Sequence, residues 1–209
     1  MRFKRLPSFA LMGAMLLVGL LLSGCNSSSS DNGEPKITHQ VLLKTSEGDI
    51  LLGLYGRQSN ITVANFVSYV ESGFYDGLLF HRVIEEFMIQ GGWFDQNFIA
   101  RGPLQDPILN ESDNGLSNLE GTIAMARTPD PDSAQSQFFI NTVDNPFLDY
   151  QPATSELPEE WGYAVFGHVL EGMDVVRSIE QQPTTTLDIL QNYPITPVII
   201  YQAQLLENL

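Results

Sequence analysis

Few side chains in this sequence combine the type and the spacing that bond-making chemistry demands. His81 and Glu85 stand four apart, a metal-binding pair if they share a helix face, but the segment reads as extended and no third ligand accompanies them. Ser133 and Ser136 lack the strand-to-helix elbow of a nucleophilic serine. Gly91-Gly92 is not followed by Gly-Lys-Ser/Thr, so it marks a turn and not a phosphate loop. Cys25 is the single cysteine, which excludes an intramolecular disulfide and a cysteine-based zinc cluster. What remains is a permanent cation, Arg82, among Phe80, Phe87 and Met88, with Gln90 eight residues on. By spacing alone Phe87, Met88 and Phe139 fit a core, and Arg82 fits a surface ion pair.

The elements that must position these residues are short and mostly extended. Val41-Leu42-Leu43 and the run from Ile50 to Tyr55 flank Ser46-Glu47-Gly48-Asp49 and predict a hairpin. Val63, Phe66, Val67 and Val70 fall at helical spacing after Asn60, a candidate cap, and before Gly73. Further strands are expected at 79–84, 87–91, 122–126, 137–142, 164–169 and 198–205, and a second helix from Met173 to Glu180 between Gly172 and Pro183. His39 and His168 read as solvated positions on strands or turns. Many short strands with Gly, Pro and Asn turns suggest a closed or nearly closed antiparallel barrel with helices over its open ends.

Charge divides the chain unevenly. Ten Lys and Arg stand against 25 Asp and Glu among 209 residues, a net of −15. The first 24 residues hold three of the bases and no acid, so the remainder carries 7 basic and 25 acidic side chains, a net of −18. Such a surface repels phosphate backbones and argues against nucleic-acid partners. Arg2, Lys4 and Arg5 precede an apolar run from Phe9 to Leu22, too short for a bilayer span, then Leu22-Ser23-Gly24-Cys25. This ending resembles the lipobox of bacterial lipoproteins. The resemblance makes residues 1–24 a signal peptide and Cys25 the lipidated first residue of the mature chain, held by several acyl chains. Residues 25–36 then form a polar, Ser-rich tether, and Asn26 after the cysteine is permissive for the outer membrane. The folded domain is expected over 37–209, facing the periplasm.

Three segments carry a second resemblance: Phe80–Gly92 (FHRVIEEFMIQGG), Gly121–Arg127 (GTIAMAR) and Ser136–Asn141 (SQFFIN). With Ser72–Tyr75, Asn145–Asp149 and Gly162–Gly167, in order and without large gaps, the chain from Val41 onward resembles the cyclophilin family of peptidyl-prolyl cis–trans isomerases in its bacterial periplasmic style. The resemblance implies a mostly β fold, a closed eight-stranded antiparallel barrel capped by two α-helices, with no metal and no organic cofactor. It implies an X-Pro peptide bond of a polypeptide as substrate. Arg82 matches the family's catalytic arginine, Gln90 the residue that orients it, and Phe87, Met88, Phe139 and Leu148 the proline pocket. His81, Ala126, Arg127, Gln137, Phe147 and Tyr163 match positions along the substrate groove.

Four departures from the family pattern stand out. Glu85-Glu86 replaces a frequent Pro-Gly and brings two carboxylates toward Arg82. Phe147 stands where many eukaryotic members have Trp, which implies weak cyclosporin binding; Tyr163 stands in place of their His, and Arg127 in place of their Asn. The expected activity is isomerisation of X-Pro bonds in exported polypeptides, assisting folding in the cell envelope, by a monomer anchored through Cys25. The alternative is a non-catalytic chaperone or scaffold that holds Pro-containing segments.

Overall fold

The computed structural model describes Met1, residues 35–187 and residues 190–206. Residues 2–34, where the signal peptide, Cys25 and most of the tether are expected, lie outside the described residues. The first elements are the expected hairpin, β1 (His39–Thr45) and β2 (Gly48–Leu54). Val41 and Leu43 of β1 face Leu52 and Ile50 of β2 across the ladder, and all four are fully buried. Period-two alternation thus sends one face inward.

Helix α1 (Asn60–Glu71) follows, then β3 (Leu78–Ile84), β4 (Met88–Asp95), β5 (Thr122–Met125), β6 (Phe138–Asn141), a 3-10 turn (Pro146–Leu148), β7 (Val165–Glu171) and helix α2 (Met173–Glu180). The chain ends in β8 (Thr184–Leu187), β9 (Leu190–Pro194) and β10 (Val198–Leu206). Eight strands close an antiparallel barrel in the order β1-β10-β3-β4-β6-β5-β7-β2. Phe66 of α1 enters the core, edge-on to Phe138 and tilted against Phe166 and Tyr75, while Val176 and Ile179 of α2 join the same apolar cluster. Gly172 opens α2 with φ 89, and a Cβ there would lie 2.2 Å from the Asp49 carbonyl oxygen. Both facts restrict the position to glycine.

Two details differ from the sequence expectation. The cap of α1 is Ser59 and not Asn60, and its hydroxyl donates to the Val165 carbonyl instead of accepting from the helix's first amides. The first turn's amides are satisfied from fifty residues away: Ile61 and Thr62 donate their N–H groups to the Glu111 carboxylate at 3.1 and 2.8 Å, and the Thr62 hydroxyl adds a third bond at 2.8 Å. A carboxylate there also complements the helix dipole. The second difference is the β8–β9 hairpin, which stands outside the barrel as its own two-stranded sheet. Its residues Leu190 and Tyr193 pack on Leu79 and Phe94. Among the described residues, no helix is long and apolar enough to cross a membrane.

Because Glu111 replaces a local cap with charge-assisted bonds, Glu111→Ala is expected to lower stability by about 1–2 kcal/mol, read as a lower denaturation midpoint in urea. A midpoint equal to that of the parent would show that water serves these amides equally well.

Candidate active site

The alternation of β3 slips where the site is built. Phe80 and Val83 both enter the core, and the β3–β4 register shifts between Phe80 and Arg82. His81 and Arg82 therefore sit together on the outer wall, with Arg82 opposite Gln90 of β4. Gln90 pairs with Phe139 of β6, and Phe139 with Ala124 of β5. Gly92 makes this packing possible: its φ is 90, and a Cβ would lie 2.7 Å from the Ser136 carbonyl oxygen.

On this wall lies a hollow of about 220 Å³. Phe87, Met88, Phe139, Leu148 and Tyr163 line it with apolar surface, and Phe139 meets Tyr163 edge-on at 5.5 Å. Arg82, Gln90, Ala126 and Arg127 complete it. Arg82 is half-buried, and this burial pulls its pKa downward, opposed by Tyr163; the guanidinium stays charged. It donates to Gln90 Oε1 at 3.4 Å and touches Met88 Sδ at 3.9 Å. The Gln90 amide is fixed in turn, its Nε2 donating to Gln137 Oε1 at 3.0 Å. Gln137 belongs to an adjoining hollow of about 380 Å³, which shares Gln90, Ala126 and Arg127 with the first.

Four expectations need adjusting. Glu85 and Glu86 are exposed and form no ion pair with Arg82; the one ion pair among the described residues joins Arg177 to Glu120. Glu86 instead holds φ 54 and donates its N–H to the buried Glu180 carboxylate at 2.8 Å, which pins the turn before Phe87. Arg127 borders both hollows, but its donors go to the carbonyls of Gly162, Trp161 and Thr128, and its guanidinium lies 4.6 Å above the Tyr163 ring. It holds the loop that carries Tyr163. Phe147 is 71% exposed and stands outside the hollow, stacked on Phe87 at 5.9 Å. His168 is also less solvated than expected, its Nδ1 lying 2.6 Å from the Tyr55 hydroxyl.

Residues that sequence reasoning did not single out lock the hollow from behind. The Asp149 carboxylate accepts from the Ser117 hydroxyl and from the Asn118 backbone and side chain. Asn118 also reaches the Tyr163 carbonyl at 3.3 Å and accepts from Asn141 at 3.2 Å. Asn145 donates to Asn141 at 2.8 Å and to the Phe87 carbonyl at 2.9 Å. The walls carrying Phe87 and Tyr163 are thus joined by one buried polar chain, whose members satisfy one another. Asn and Ser in a loop sequence give no sign of this, since each alone reads as a turn residue.

His81 is only 3% exposed and lines neither hollow. Burial, reinforced by the Arg82 charge, brings its pKa down to about 4, and its Nδ1 has no hydrogen-bond partner.

The family model for cyclophilin type peptidyl-prolyl cis-trans isomerase/CLD matches residues 40–205. The chain belongs to the cyclophilin-type peptidyl-prolyl cis-trans isomerases. It is 48% identical over 171 residues to peptidyl-prolyl cis-trans isomerase A of Dickeya dadantii, covering 82% of this chain and 86% of that protein. It is 45% identical over 160 residues to peptidyl-prolyl cis-trans isomerase B of Escherichia coli, covering 77% and 95%. The fold is that of a cyclophilin-type isomerase of Cryptosporidium parvum crystallised with the dipeptide Ala-Pro, at a TM-score of 0.64 and 24% identity over 81% of this chain and 99% of that one.

A buried neutral His81 makes this cyclophilin barrel sensitive to acid. The unfolded chain binds a proton at His81 near pH 6.5 and the folded one only near 4, so stability is lost as pH falls through that window. The loss from this group reaches about 3 kcal/mol. Urea denaturation of the parent and of His81→Phe between pH 7 and 4 should show the parent weakening more steeply; parallel curves would refute the assignment.

Proposed function

We propose that this chain accelerates rotation about X-Pro bonds in exported polypeptides and assists their folding at the cell envelope, from a lipid anchor at Cys25 and as a monomer. The observation that carries the chemistry is a charged Arg82, paired with no carboxylate among the described residues, beside Phe87, Met88, Phe139 and Leu148 in a hollow roomy enough for a small ring. Amide resonance sets a barrier of about 18–20 kcal/mol, and uncatalysed X-Pro exchange takes tens to hundreds of seconds. Turnover at about 10²–10³ per second needs a barrier of roughly 14 kcal/mol, a reduction of about 5–6.

No bond breaks, so neither a nucleophile nor a general acid is required. In the twisted state conjugation is lost and the nitrogen lone pair becomes an acceptor. The proline ring is gripped by Phe87, Met88, Phe139 and Leu148, with Tyr163 beside them, while Arg82, steadied by Gln90, donates to that nitrogen. A donor that finds its partner only in the twisted state binds that state selectively. The envelope setting rests on the sequence of the first 25 residues: the basic start, the short apolar run and Ser23-Gly24-Cys25.

With the full chain and a short X-Pro peptide, Arg82→Ala is expected to lower the isomerisation rate by about 10²-fold, comparable to loss of one preorganised donor. A parent protein that binds proline peptides without accelerating their exchange would favour the scaffold reading. Cys25→Ser should move the protein from the membrane to the soluble fraction of its host cells with isomerase activity unchanged. A variant still cleaved and still membrane-bound would refute the anchor.

A further inference from the structure

A third hollow, of about 240 Å³, lies beyond Arg82 and is lined by His81, Arg82, Gln90, Trp93, Leu190 and Gln191. It shares Arg82 and Gln90 with the proline hollow, so the two adjoin at the Arg82–Gln90 pair. A polypeptide whose proline ring fills the first has to carry neighbouring residues over or along this pair. We propose that this hollow, walled on its far side by the β8–β9 hairpin, is a specificity subsite for an aromatic side chain of the substrate near its X-Pro bond. The proposal rests on the isomerase reading of the adjoining hollow.

The chemistry of the lining selects the occupant. Trp93 is half-buried and stands between this hollow and the 380 Å³ one, so its indole offers apolar surface to a guest. His81 meets Trp93 edge-on at 5.9 Å, which extends the aromatic wall, and it is neutral well below pH 7. Leu190 is packed with Leu79, Phe94 and Tyr193, and Trp93 and Ile199 lean on the same cluster, so this wall is a fixed extension of the core. Among the described residues no carboxylate lines the hollow, and Arg82 repels a cationic guest. An aromatic ring gains edge-to-face packing with Trp93 and His81 and the attraction of its face for the guanidinium. An aliphatic side chain gains only the burial.

The test is a peptide series with one X-Pro core, in which Phe, Glu or Ala occupies each of the two positions before and after it. With the full-length parent, kcat/KM should favour Phe over Ala by about five- to tenfold at one position, the worth of one aromatic pair. Leu190→Ala and Trp93→Ala, tested separately, should each bring that ratio close to one. Equal turnover of the Phe and Ala peptides, a preference for Glu, or a Phe preference that survives both substitutions would overturn the subsite while leaving the isomerase reading intact. If no peptide is turned over, the isomerase reading fails by itself. The subsite is then decided by binding, read from tryptophan emission: tighter binding of the Phe peptide supports it and equal binding refutes it.

Discussion

An arginine that is to act on an amide nitrogen must stay charged, partly dehydrated and free of carboxylates at the same time. In a chain with 25 acids and 10 bases, the third condition is the hardest. The fold meets it with neutral acceptors. Arg82 rests against a glutamine oxygen and a thioether, and the two glutamates four residues or fewer away face solvent. A carboxylate in their place would bind the guanidinium in its ground state and leave less of it for an incoming twisted amide. The slip in β3 alternation is the geometric means, since it brings Arg82 to the outer wall opposite Gln90.

The remaining polar residues around the hollow act on position. Arg127 is the clearest case: a cation at the rim of the groove whose donors end on three backbone carbonyls. Its part is to hold the edge that carries Tyr163. The chain of Asp149, Asn118, Asn141 and Asn145 ties the same edge to Phe87 from behind. A pocket formed by side chains from β3, β4, β6 and the segments that connect the strands gains rigidity from this mesh, and rigidity is what keeps a donor aimed where charge develops.

Much of this was legible in the sequence, for definable reasons. Strand and helix positions followed from period-two and period-3.6 burial, as in Val41/Leu43 against Leu52/Ile50 and in Val63, Phe66 and Val70. The second helix matched its expected bounds because Gly172 and Pro183 punctuate it. The β8–β9 hairpin went unseen because Thr184–Leu187 is exposed throughout and carries no inward-facing pattern. The cap of α1 was misplaced because its acceptor, Glu111, is distant in sequence. At the site, type and motif identified the residues that line the hollow, whereas the polar bracing and the role of Trp93 depend on pairings that no local spacing encodes. His81 and Phe147 were grouped with the groove; the fold buries one beyond Arg82 and leaves the other on the rim.

The closure of the barrel has a consequence for biogenesis. Its first strand is zipped to its last, Gln40 opposite Leu206, so the hydrogen-bonded ring is completed by residues made more than 160 positions apart. Contacts of such separation slow folding, because the whole intervening chain must be gathered before they form. Of the eight barrel strands, β10 is the last to be made. Until then β1 presents one open edge, and no partial product can complete the barrel. The barrel therefore closes only after β10 has been made, however early its other strands pair.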